Sequence, residues 1–181
     1  MNELMEIKNK VHTAIYGCGN ILFGDDGVGP VVANTLKEMD LGEDILIEDV
    51  GTSVRDILFD YLLAPELGPR RIIIIDAVDF PNRSPGEVFE IHPRSVPLKK
   101  SHDFSLHQFP TVNMLAELAE ATDIEVRVIA IQVESIPDVV RPGLSKPVAK
   151  AVKNACKRIL NILKQGKTSE VREDDVRIQG Q

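Results

Sequence analysis

Three short segments carry the side chains best suited to chemistry. The first is Gly17-Cys18-Gly19-Asn20-Ile21-Leu22-Phe23-Gly24-Asp25-Asp26-Gly27-Val28-Gly29, in which adjacent acids sit between glycines. The second is Asp76, which closes a run of four consecutive isoleucines. The third is His102-Asp103-Phe104-Ser105-Leu106-His107, a polar stretch ahead of a helical pattern. Carboxylate oxygen and imidazole nitrogen together suit a borderline divalent ion such as nickel or zinc, so two acids and one histidine in a common crevice would form such a site. The same groups could serve a water as general base.

Other uses of these residues stay open at the level of sequence. Gly17-x-Gly19 resembles the start of a dinucleotide fingerprint, but its third glycine falls at Leu22 and no helix opens at once. Carboxylates also stand where a pyrophosphate would need amide donors and a helix dipole, so a cation is the better-matched ligand. Asp25 or Asp26 could instead cap a helix starting near Gly29 or Pro30. Asp76 could simply accept backbone hydrogen bonds from the turn after its strand. His107 could be a solvated loop histidine, and His12 and His92, inside strand patterns, are expected to be structural. Cys18 and Cys156 are the only cysteines, too few for a disulfide framework or a paired-cysteine zinc signature. Cys18 is expected to pack rather than to attack, and neither a serine nucleophile elbow nor His-Glu-x-x-His occurs.

The elements that must position these groups follow from hydrophobic periodicity. A strand over 11–17 leads into the glycine-rich loop, and Pro30, Val32, Leu36 and Met39 then recur at helical spacing. A second apolar run, 45–50, closes on Gly51-Thr52-Ser53 and is followed by Val54, Ile57, Leu58, Tyr61 and Leu62 along one helix face. The four isoleucines within 71–76 predict a central strand covered on both sides, ending at Asp76. The segment 87–92 follows too soon for a crossover helix, so it should run antiparallel at an edge. Helices over 110–121 and from an N-cap at Ser145, with a strand over 124–133 between them, complete a three-layer αβα sandwich on a mixed, mostly parallel five-stranded sheet of the phosphorylase/hydrolase-like kind. In such sheets ligands bind beyond the carboxyl ends of the strands, where all three polar segments fall.

The 181 residues suit one α/β domain, 1–165, followed by a polar tail, 166–181, expected to be flexible. With 43% apolar and 27% charged residues the chain has material for a core and is not a disordered sequence. A net charge of −7 makes nucleic acid an unsuitable partner. No apolar run is long enough to cross a bilayer, and the N-terminus, with acids among its few apolar residues, lacks a signal-peptide pattern, so a cytoplasmic protein is expected, and the single modest domain suits a monomer.

Gly17-x-Gly19-Asn20-x-Leu22-x-x-Asp25-Asp26-Gly27-x-Gly29 resembles the opening motif of the nickel-iron hydrogenase maturation endopeptidases. The resemblance continues through Asp49-Val50-Gly51-Thr52, Ile75-Asp76-Ala77-Val78-Asp79, Ser105-Leu106-His107-Gln108 and Gly143-Leu144-Ser145, and so spans residues 13–163. Phe80-Pro81, Pro85-Gly86-Glu87-Val88 and His102-Asp103-Phe104-Ser105 are further similar to the delta type associated with the coenzyme F420-reducing hydrogenase. The resemblance implies cleavage of a C-terminal extension from the hydrogenase large-subunit precursor once nickel is inserted. It also implies that the metal-contacting and catalytic trio is Asp26, Asp76 and His107, although Asp26 stands where many relatives carry glutamate. Nickel would arrive on the substrate, with no permanently bound cofactor. A non-catalytic nickel-binding escort for hydrogenase assembly would use the same residues, and a nucleotide-binding domain is a further alternative.

Overall fold

A computed structural model describes residues 11–93 and 111–178. Thr13–Cys18 forms strand β1, and the chain passes through a 3-10 turn at Gly24–Gly27 into helix α1, Val28–Lys37. Strand β2 is Ile45–Gly51 and helix α2 is Val54–Leu63. After a short 3-10 turn at Pro65–Leu67 come strands β3, Arg71–Val78, and β4, Val88–Ile91. Helix α3, Thr111–Ala121, strand β5, Glu125–Gln132, and helix α4, Lys146–Ile178, complete the described chain.

The five strands lie in the order β2-β1-β3-β5-β4. All neighbouring pairs are parallel except β4 with β5, where Val88 pairs with Ile131 and Ile91 with Val128. The mixed sheet and its antiparallel edge strand are as the sequence predicts.

Strand periodicity decides which side chains meet which helices. Along β3, Ile73 and Ile75 join Ile15, Val32, Leu36, Val148 and Ile159 in the core beneath α1 and α4. Ile72 and Ile74 point the other way and meet Tyr16, Leu58, Leu115 and Leu118 beneath α2 and α3. All four isoleucines are buried to within 2% of full, and each such side chain contributes roughly 1.5–3 kcal/mol of hydrophobic stabilisation. Burial on both faces explains why this strand has no polar alternation. Tyr16 is the polar member of that core. Its hydroxyl pairs with that of Tyr61 at 2.7 Å, and burial pushes the phenol's pKa well above its ordinary range.

Two boundaries differ from the sequence expectation. β3 runs two residues past Asp76, because Ala77 and Val78 still pair with Ile131 and Gln132 of β5. Where a flexible polar tail is expected from Gly166, α4 stays helical to Ile178. The stretch from Lys167 holds neither proline nor glycine before that point, so composition supplies no breaker once the buried part has nucleated the helix. No helix among the described residues is long and apolar enough to cross a membrane.

Candidate active site

The strand order places a topological switch between β1 and β3. From β1 the chain moves to one side, to β2, and then crosses to the other side for β3. Their carboxyl ends therefore diverge into loops that leave a crevice between them, the usual ligand position of an open α/β sheet. The loop after β1 carries Asp25 and Asp26, and β3 carries Asp76 near its end.

Glycines fold the first loop back onto the sheet. Gly19 has φ +121°, and a Cβ there would lie 1.9 Å from the Asp26 carbonyl oxygen. A Cβ on Gly29 would lie 2.2 Å from the Cys18 oxygen and 2.5 Å from the Ile75 oxygen. The first turn of α1 thus rests on the ends of β1 and β3 together, and Asp26, three residues before Gly29, is held beside the strand that bears Asp76. Both carboxylates are buried, Asp26 at 5% and Asp76 at 6% exposure. Asn20 N–H donates to Asp26 Oδ2 at 2.7 Å, and Ala77 N–H donates to Asp76 Oδ1 at 2.8 Å. The Asn20 side chain also accepts the Leu22 amide at 3.0 Å and so shapes the loop that presents Asp26.

Asp25 has a different task. Its Oδ1 accepts the Ser145 amide at 2.6 Å, while Oδ2 accepts the Glu134 amide at 2.9 Å, the Ser135 amide at 3.4 Å and the Ser145 hydroxyl at 2.9 Å. Both oxygens are taken up in tying the glycine loop to the segment between β5 and α4. Neither acid caps α1, since Gly27 occupies the N-cap position and no side chain bonds there. The helix-cap expectation for this pair is therefore corrected: a carboxylate cap is redundant where the turn itself is welded to the strand ends. Ser145 does stand immediately before α4, and its hydroxyl donates to Asp25.

His107 and His102 lie outside the described residues. Among the described residues no three His, Cys, Asp or Glu side chains form a group able to hold a metal ion, and of the expected trio only Asp26 and Asp76 are described. Cys18 is buried with its thiol 3.9 Å from the Tyr16 oxygen, as a packing residue should be. His12 lies just before β1, with Nδ1 3.4 Å from the Thr13 hydroxyl, and His92 follows β4 at the surface.

Gln132 is a residue that motif spacing missed. Its Oε1 accepts the Phe80 amide at 2.9 Å and its Nε2 donates to Asp79 Oδ1 at 3.1 Å, which fixes the loop that follows β3. The signal for it was available: a glutamine closing the apolar run Ile129-Ala130-Ile131 is a buried polar group that needs partners.

Residues 30–162 match the family model described as hydrogenase maturation protease. A Methanocaldococcus jannaschii protein provisionally named a hydrogenase maturation protease is 38% identical over 153 residues, covering 83% of this chain and 96% of that protein. The coenzyme F420 hydrogenase subunit delta of Methanothermobacter thermautotrophicus is 33% identical, covering 81% of this chain and 91% of its own length. Among solved structures, the hydrogenase maturating endopeptidase of Escherichia coli superposes with a TM-score of 0.69 over 86% of this chain and 94% of that one, at 22% identity, a likeness of fold. By the family match and by these identities over most of both chains, the protein belongs to the hydrogenase maturation protease family and is a peptidase.

Proposed function

We propose that this peptidase removes the C-terminal extension of a nickel-iron hydrogenase large-subunit precursor after nickel insertion. Asp26, Asp76 and His107 then take hold of the nickel that the substrate already carries. The observation that carries this reading is the arrangement of the two acids: each is buried, each is presented from the carboxyl end of one of two adjacent parallel strands, and the switch point opens between them. Asp25, with both oxygens engaged by four donors, is left to structure, which makes Asp26 the acid of that pair for the metal.

Chain connectivity supports the third member. α3 leads into β5 at the amino end of the sheet, where the Glu125 amide bonds Arg70 oxygen. The start of α3, at Thr111, is therefore at the carboxyl end, and four residues of chain span at most about 14 Å. Side-chain parity adds that Asp76 shares the sheet face of Ile72 and Ile74, the face that α3 covers.

Carboxylate oxygens suit a divalent ion, so the metal that the substrate brings would find ligands in Asp26 and Asp76. Cleavage then waits for the loaded precursor. The ion could polarise the scissile carbonyl as a Lewis acid, or a carboxylate could take a proton from the attacking water as general base. Incubation with nickel-loaded precursor, followed by intact-mass measurement, tests the proposal. Loss of a C-terminal peptide from the precursor is the expected result; a precursor that binds yet keeps its full mass would overturn it in favour of an escort.

A further inference from the structure

The loop that presents Asp26 also shapes the rim of the crevice. Its tip, residues 20–23, lies along the segment 138–142 that leads from β5 toward α4. The Arg141 amide donates to the Leu22 oxygen at 2.8 Å and the Gly24 amide donates to the Arg141 oxygen at 3.0 Å. Phe23 and Arg141 form a parallel bridge. Asp25 ties the same two segments together from below, through Glu134, Ser135 and Ser145.

Each loop turns two large aliphatic side chains outward within two positions of that bridge. Ile21 and Leu22 are 54% and 45% exposed, and Val139 and Val140 are 69% and 63% exposed. Single exposed apolar residues are ordinary on a protein surface, but a cluster gathered on one rim marks a contact site. The backbone bridge and the Asp25 clamp hold the cluster in place before any partner arrives, which lowers the ordering cost of binding. A cavity of about 360 Å³ opens beside it, lined by Gly24, Ser135, Pro137, Arg141, Leu144 and Ser145 among others. A pocket next to apolar side chains is the surface form on which protein contacts anchor.

The occupant follows from continuity with the crevice. Ile21 directly follows Asn20, whose amide holds the Asp26 carboxylate, and the Ile21 Cα lies 2.8 Å from where a Cβ on Gly27 would stand. The rim is therefore continuous with the loop that presents Asp26, so a polypeptide extended from Asp26 can reach it. We propose that Ile21, Leu22, Val139 and Val140 form a docking lip for an apolar segment of the precursor polypeptide near its scissile bond, with one of that segment's side chains seated in the cavity. The inference rests on the proposed processing activity for the nature of the occupant.

The test compares two double variants with the unaltered protein on nickel-loaded precursor. Val139→Asp with Val140→Asp is expected to raise KM for the precursor about tenfold or more while kcat at saturation and the melting temperature hold. Val139→Leu with Val140→Leu should restore the KM. Phe59→Asp with Leu63→Asp, on the exposed side of α2 away from the rim, should leave KM as it is. An unchanged KM for the lip variant, or an equal rise in both aspartate variants, overturns the proposal. Should the unaltered protein bind precursor without cleaving it, processing fails, and the dissociation constant for the same precursor judges the lip by the same comparison. A protein that sediments as a dimer, and becomes monomeric on the lip substitutions with KM unchanged, would assign the surface to a second copy and overturn the proposal.

Discussion

Carboxylates at the crevice and at the β4–β5 edge are held by different kinds of donor. Along the edge, Glu90 receives Arg127 through Nε at 2.7 Å and Nη2 at 2.8 Å, with Arg158 Nη2 3.8 Å away. Between β5 and its other neighbour, β3, Glu125 likewise receives Arg71 Nε at 2.6 Å. These groups are partly exposed, and each guanidinium neutralises its acid where it stands. In the crevice Asp25 is fully buried and is held by backbone amides and a hydroxyl, and Asp26 and Asp76 each accept a backbone amide. An amide orients a carboxylate without cancelling its charge. The edge therefore uses its acids to join strands, whereas main-chain amides orient the crevice acids, an arrangement in keeping with the cation proposed for them.

The strongest way to break this contrast is to remove charge from the crevice while keeping shape. Asp76→Asn retains an oxygen for the Ala77 amide. Processing of precursor should fall by about a thousandfold in kcat/KM, roughly 4 kcal/mol of transition-state stabilisation. The melting temperature should hold to within a few degrees. Processing at the normal rate would mean that the charge of Asp76 serves no chemistry.

Asp25 sharpens the contrast within the crevice itself, because its neighbour in sequence is assigned the opposite task. Asp25→Ala strips acceptors from four donors drawn from two distant segments. Removing a buried charged partner and leaving donors unsatisfied costs about 3 kcal/mol of unfolding free energy. Urea denaturation of the variant should show that loss. A change below about 1 kcal/mol, within the range of a single surface contact, would contradict the clamp.

Much of this could be read from sequence because it is local. Continuous isoleucines before Asp76, the short connection ahead of β4 and the spacing of Val148, Val152, Ile159 and Leu163 all report on a single element. The division of labour between Asp25 and Asp26 could not be read that way. The partners of Asp25 lie 109 to 120 residues further along the chain, and no periodicity connects them. The end of β3 lies beyond Asp76, where sequence would close it, since the last two pairs of β3 depend on β5 being alongside. Gln132 was overlooked for the same reason: its partners, Phe80 and Asp79, are 52 and 53 residues away.

At the edge the expected effects are smaller and carry a definite pH sign. The hydrogen bonds from Arg127 hold the Glu90 carboxyl below its ordinary range, against a smaller opposing effect of burial, with the Arg127 and Arg158 charges assisting. A carboxyl with a lowered folded-state pKa stabilises the fold at pH values above its unfolded pKa, about 4.3 for glutamate. That contribution shrinks as pH falls from there through the folded-state value, because protonation then becomes equally available to both states. Glu90→Gln should therefore cost only about 0.5 kcal/mol at neutral pH, the scale of a solvent-screened pair. The difference from the unaltered protein in urea should vanish once the medium is acidic enough to protonate Glu90 in the fold. A cost that persists unchanged into acid would mean that Glu90 acts through packing along β4, and the distinction between neutralised edge and charged crevice would lose its electrostatic basis at the edge.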